Sequence, residues 1–179
     1  MQSETGDGPP RALLIAAIVV AVGALIAVLV VAVLRRPGTQ PVPIAAVPAP
    51  KATSAECEGL TAALPADLGD VPRAPLLDPA PAGAAAWRAG DGDEPIILRC
   101  GLDRPAEFVV GAPLQAVDDV QWFRVADGGG TRSTWYAVDR PVYVALTLPQ
   151  DSGPTPIQQV SAAIATSLPA RPPDPAPVN

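Results

Sequence analysis

Apolar and polar positions divide the chain into one unbroken apolar run, two proline-rich stretches and a region of short segments with mixed periods. Residues 12–34 are Ala, Val, Leu and Ile with a single Gly23 and no charge, bracketed by Arg11 and by Arg35 and Arg36. As a helix this run extends about 35 Å, against roughly 30 Å for a hydrocarbon core, so the pattern predicts one transmembrane helix over 12–34. A cleaved signal peptide is the rival reading. Its apolar region is usually about 7–15 residues long and closes on a small-x-small site, so an uncut signal anchor behind a short segment 1–11 is preferred. A buried core helix is a further alternative, but a polar chain of this size has no second apolar layer to surround it.

Residues 35–55 carry Pro37, Pro41, Pro43, Pro48 and Pro50 among small residues, which reads as an extended linker. The tail 169–179 repeats that composition and holds too little apolar surface to order itself, so it is expected to be disordered. Between them lies one domain, 56–168. Thr53-Ser54-Ala55-Glu56 is a capping-box pattern, and Cys57, Leu60 and Leu64 follow at helical spacing, giving a short helix that ends before Pro65. Residues 65–95 have few large apolar side chains and read as an irregular wrap anchored by Val71, Leu76, Leu77 and Trp87.

Ile96-Ile97-Leu98-Arg99-Cys100 is a short aliphatic run bounded by Pro95 and Gly101, the pattern of a buried strand. Segments 120–126 and 131–138 flank Asp127-Gly128-Gly129-Gly130, a hairpin signal, and 142–148 alternates in the period of a third meander strand. Thr155-Pro156 opens a helix that presents Ile157, Val160, Ile164 and Leu168 on one stripe. The expected fold is α+β: a small antiparallel sheet of about four strands flanked by an N-terminal and a C-terminal helix, preceded by one transmembrane helix.

Charge narrows the partners. The chain carries a formal net charge of −6. Residues 56–168 hold 15 acidic and 7 basic side chains, so the domain is more acidic still. Such a surface repels polyphosphates, and nucleic acid is not an expected partner. The chain has no histidine, which removes the triads that depend on it and every imidazole metal site. No cofactor is expected.

Cys57 and Cys100 are the only two cysteines. An even count inside one small domain behind a secretion-competent anchor fits a single disulfide between helix and sheet, which would close a long loop. Two buried free thiols in a cytosolic domain are the alternative. The flanking arginines favour the domain inside, with one before the run and two after it. The short first segment and the cysteine pair favour the domain outside the cytoplasm, which is the expected placement: a single-pass protein of the cell membrane with an extracytoplasmic domain.

Cys57-x-x-Leu60-Thr61-x-Ala63-Leu64-Pro65, Ala86-Trp87, Pro95-Ile96-Ile97-Leu98-Arg99-Cys100-Gly101, Val120-x-Trp122-Phe123 and Arg140-Pro141-Val142-Tyr143-Val144 together resemble the actinobacterial family called domain of unknown function 3515. The resemblance covers most of 56–168. It implies a short envelope protein anchored to a membrane by a helix or a lipid, and it assigns no activity and no catalytic residue. No cysteine directly follows the apolar run, so lipid anchoring of that form is not supported.

Asp118, Asp119 and Asp139 are the nominees for acid–base chemistry, since paired carboxylates can divide those roles. Adjacent aspartates are more often a solvated turn. Asp91-Gly92-Asp93-Glu94 matches the start of a calcium loop but lacks its later ligands. Trp87, Trp122, Trp135, Tyr136 and Tyr143 hold most of the aromatic surface, either as core or as an exposed patch for a partner or glycan. Arg99 is pushed onto the face opposite its strand neighbours, where pairing with an aspartate is expected. The expected function is a non-enzymatic envelope module that binds an envelope protein or cell-wall component. A carboxylate-dependent envelope hydrolase is the alternative.

Overall fold

Short, Ala-rich segments that carry little periodic signal take part in the sheet as fully as the aliphatic ones. In the computed structural model the described residues are 11–34, 40–126 and 128–178, with side chains of the first helix described over 13–28. They form two units, each considered by itself.

The first unit is helix α1, Arg11–Leu34. Its described side chains are exposed, the large apolar ones from 50% at Leu14 and Val22 to 71% at Val20. The expectation of a transmembrane helix is corrected here: among the described residues no helix is long and apolar enough to cross a membrane.

The second unit holds α2 (Ala55–Ala63), β1 (Asp67–Leu68), β2 (Val71–Ala74), β3 (Ala84–Trp87), β4 (Ile96–Leu102), β5 (Leu114–Val117), β6 (Val120–Ala126), β7 (Arg132–Ala137), β8 (Tyr143–Pro149) and α3 (Thr155–Ser167). The strands make one eight-stranded antiparallel sheet in the order β1-β2-β3-β4-β8-β7-β6-β5, so the expected four strands are corrected to eight. The four read from sequence are β4, β6, β7 and β8. The others are two to four residues long, and three of them lie inside the stretch read as an irregular wrap. Segments this short hold too few residues to display a period of two, and their pairing is set by neighbours that do.

One face of the sheet is closed by α2 and α3. Leu60 and Leu64 of the α2 region and Ile157, Val160, Ile164 and Leu168 of the α3 region bury against Trp87, Leu98, Trp122, Val144 and Leu146. Ser54 caps α2, its hydroxyl accepting from the Cys57 N–H at 3.4 Å. The α3 cap is Pro154, which has no side-chain cap bond, and the helix opens at Thr155-Pro156. Helix α3 touches both edge strands, β1 and β5, so the sheet curls around it. Trp122 donates its indole N–H to Ser161 of α3 at 3.0 Å, which satisfies the polar atom of a fully buried side chain. Cys57 and Cys100 form a disulfide that joins α2 to β4 inside this core, with both residues at most 1% exposed.

The proline-rich flanks are seated on the domain. Val42 is 1% exposed and forms a parallel bridge with Leu76, packing with Ala74 and Ala86. The tail expected to be disordered donates from Arg171 N to Asp139 O and from Ala176 N to Phe108 O, and Asp174 meets Arg104 at 3.1 Å. Proline removes donors but leaves carbonyls and the N–H groups of the residues between, and these few bonds hold the chain in place.

Candidate functional site

The face of the sheet turned away from the helices is covered by irregular chain from two sides, leaving a slot between them. Strand alternation dictates its floor. Arg99 of β4, Ala145 of β8 and Tyr136 of β7 are paired across adjacent strands, so their side chains stand in one row on this face. The neighbouring row brings Thr147 opposite Thr134, whose hydroxyl oxygens are 3.0 Å apart. Ala145 is small and sits between two long side chains, which makes the floor concave. Val47 and Pro48 of the linker form one wall, and Leu102, Asp103 and Pro105 form the other. The slot is open to solvent and has a volume of about 360 Å³, within the usual range of small-ligand sites, roughly 300–1,000 Å³.

The slot is polar at its floor. Burial pushes the Arg99 guanidinium below the ordinary arginine value, with Tyr136 opposing the shift and Arg132 adding to it. An arginine so placed remains charged at neutral pH. Burial, with Glu107 adding and Arg99 opposing, raises the Tyr136 hydroxyl above the ordinary phenol value, so it stays protonated and able to donate. Arg99 Nε is buried without a hydrogen-bond partner, and the expected aspartate pairing of Arg99 is absent among the described residues.

The nominated carboxylates sit elsewhere. Asp118 and Asp119 are exposed in the two-residue turn joining β5 to β6, where Asp118 has φ 49°. Asp139 is 4% exposed; its Oδ2 meets Arg140 Nη1 at 2.8 Å and accepts from Gln121 N at 3.0 Å. Arg140 also donates to the Asp119 carbonyl at 2.7 Å. Arg140 thus ties Asp139 to the Asp119 carbonyl, with the Asp139 carboxylate paired in the interior and the Asp118 and Asp119 residues exposed to solvent. Asp91 accepts from Gln40 N at 2.7 Å and lies 3.6 Å from Arg88, which donates to Gln40 O. Asp93, Glu94 and Asp151 line a wider cleft of about 620 Å³, and among the described residues no cluster is able to hold a metal ion.

Trp87 and Trp122 are core, with their indole N–H groups bonded to Pro65 O and Ser161 Oγ. Trp135 is half-buried, donates to Ser133 and lies under Arg124, 5.4 Å from guanidinium carbon to ring centroid. Of the aromatics singled out from sequence, Tyr136 alone lines the slot, while Tyr143 packs with Phe108 and Phe123 further along the same face. Sequence reasoning finds neither the threonine pair nor the Val47–Pro48 wall as site residues. Arg99 and Thr147, polar positions within strands that are otherwise largely buried, are the available signal.

Fold and slot together define a two-layer α+β domain, an antiparallel sheet with helices on one face and a small polar recess on the other. Residues 18–173 match the family described as protein of unknown function (DUF3515), and the chain belongs to that family. No curated protein and no solved structure matches it.

Proposed function

We propose that this chain is a non-enzymatic binding module of the cell envelope, held at a membrane through α1, and that the Arg99 slot is where it takes up an envelope component. The observation that carries this reading is the slot itself: a concave, partly charged recess on a rigid sheet, walled by apolar side chains. The buried Cys57–Cys100 disulfide supports an oxidising, extracytoplasmic location, since such bonds are rare where thiols are kept reduced. The apolar, exposed α1 supports a membrane partner, because a helix without a polar stripe needs an apolar surrounding. The hydrolase alternative gains no such support, since Asp139 is engaged by Arg140 and does not converge on a cleft with Asp118 and Asp119.

A photoreactive amino acid placed at Val47, on the slot wall, and in a second chain at Glu58, exposed on α2, tests the proposal in intact cells. A discrete adduct from position 47 and none of the same mass from position 58 is expected. Identical adducts from both positions, or none from 47, would remove the slot as the binding site.

A further inference from the structure

The arginines of the domain are engaged in different ways, and the contrast identifies the ligand class of the slot. Arg88, Arg104 and Arg140 each hold a carboxylate. Arg73 and Arg124 lie over the rings of Trp87 and Trp135, at 5.2 and 5.4 Å. Arg132 has a partner of its own. Arg99 holds no carboxylate and lies over no ring among the described residues; its Nε is buried without a hydrogen-bond partner, as are those of Arg88, Arg132 and Arg140, but it alone of the cations among the described residues lines the slot, and it is half-buried there. A guanidinium removed from much of its water and given no protein partner is held at a cost that an incoming anion offsets.

The surroundings decide which anion. Asp103 stands on the wall, Glu107 is near enough to raise the Tyr136 hydroxyl, and the domain as a whole is strongly acidic. A phosphate dianion meets a single guanidinium on the slot lining and the two repelling carboxylates of Asp103 and Glu107. A single carboxylate matches the two parallel donors of one guanidinium fork. Of the Thr134 and Thr147 hydroxyls one donates to the other, which leaves one proton free, and Tyr136 supplies another donor. Val47, Pro48, Leu102 and Pro105 offer apolar walls to the group behind the carboxylate. We infer that the slot binds the carboxylate end of a small organic ligand, with Arg99 as the group that takes the charge. This rests on the slot being the binding site proposed above.

The test uses the full chain purified in mild detergent and labelled with ¹⁵N, with the Arg99 Nε–H resonance assigned through Arg99→Lys. The probes are acetyl-alanyl-alanine with a free C-terminal carboxylate, the same compound as its C-terminal amide, and inorganic phosphate. The free acid is expected to shift the Arg99 resonance saturably and to bind at least about ten-fold more tightly than the amide. Arg99→Gln is expected to weaken the free acid by a similar factor while the backbone amide spectrum is retained.

Equal binding of acid and amide, tighter binding of phosphate, or no saturable shift up to about 20 mM acid overturns the carboxylate assignment. The Val47 photoadduct separates this inference from the reading beneath it. An adduct that persists at full yield in Arg99→Gln sinks the carboxylate assignment and leaves the slot as a binding site, whereas an adduct that never forms removes the site itself.

Discussion

Gly101 shows how one position joins a strand to the linker. Its φ is +84°, and a Cβ there would run into the backbone of Lys51 and Ala52. The chain exploits the missing side chain: Lys51 N donates to Gly101 O at 3.1 Å, and the β4–β8 register shifts between Cys100 and Leu102. Gly101→Ala is therefore expected to cost more than about 2 kcal/mol in urea unfolding, from the unfavourable φ plus the displaced linker. A loss below a few tenths would show that the linker does not press on this strand. Tyr136 offers a pH test. Burial raises its folded value above that of an ordinary phenol, so the folded state holds the proton more tightly than the unfolded chain. That contribution is complete below the unfolded value and is lost as pH rises through the folded one. Thermal unfolding measured from neutral to strongly alkaline pH should fall less steeply above about pH 10 in Tyr136→Phe than in the parent. Tyr143 is raised as well, by burial first, and leaves a residual slope in that variant. At this scale the sequence exposes Arg99 as a polar break in an aliphatic strand. The partners of Arg99 in the slot come from β7 and β8, more than thirty residues away, and only the register of three strands shows that they share its face.

Among the elements, legibility follows length and amphipathic contrast. Helix α3 and strand β8 carry apolar positions at a fixed period, β4 is an aliphatic run bounded by Pro95 and Gly101, and β6 and β7 flank a glycine-rich hairpin signal, so these are read directly. Strand β3, Ala84–Trp87, does not, because alanine fits helix, strand and loop alike, and its place is set by pairing with β4. The seated tail is hidden for a different reason. Proline content signals the lack of regular structure, but three residues with free N–H or charged groups, Arg171, Asp174 and Ala176, are sufficient to tie it down. The disulfide is the element-scale tie with the largest expected effect. It closes a sequence separation of 43 between α2 and β4, and in the chain-entropy account a loop of that size stabilises by about 4 kcal/mol. Cys57→Ala with Cys100→Ala should lower the unfolding free energy by roughly that amount, and reductant should then have no further effect on the variant. Equal stability of variant and parent in the absence of reductant would show that α2 is held by packing alone.

At the scale of the whole molecule two units with opposite demands share one chain. Residues 40–178 bury their apolar side chains around α2, α3 and the sheet and present an acidic surface, whereas α1 presents apolar side chains without a compensating polar face. The apolar character of 12–34 is plain from the sequence. Its meaning is not, because an apolar helix is equally at home against lipid or against protein, and among the described residues none meets the length and apolarity of a crossing. The membrane reading makes a quantitative demand on the exposed positions. If α1 contacts lipid, each of its larger side chains contributes about 1.5–3 kcal/mol of burial, so a lysine in place of one of them removes that contribution and adds the cost of desolvating a charge. Val20 and Ile26 are 71% and 54% exposed. The double substitution Val20→Lys with Ile26→Lys is therefore expected to release the chain from the membrane pellet of fractionated cells under an alkaline wash, while the parent stays behind. The Cys57–Cys100 bond should remain intact in the released protein, because it lies in the other unit and is closed from solvent. It is read by alkylating the cells before denaturation and comparing mobility with and without reductant. A parent chain that washes off as readily as the variant would show that α1 meets a protein surface rather than lipid, and the proposed membrane partner would fall with it.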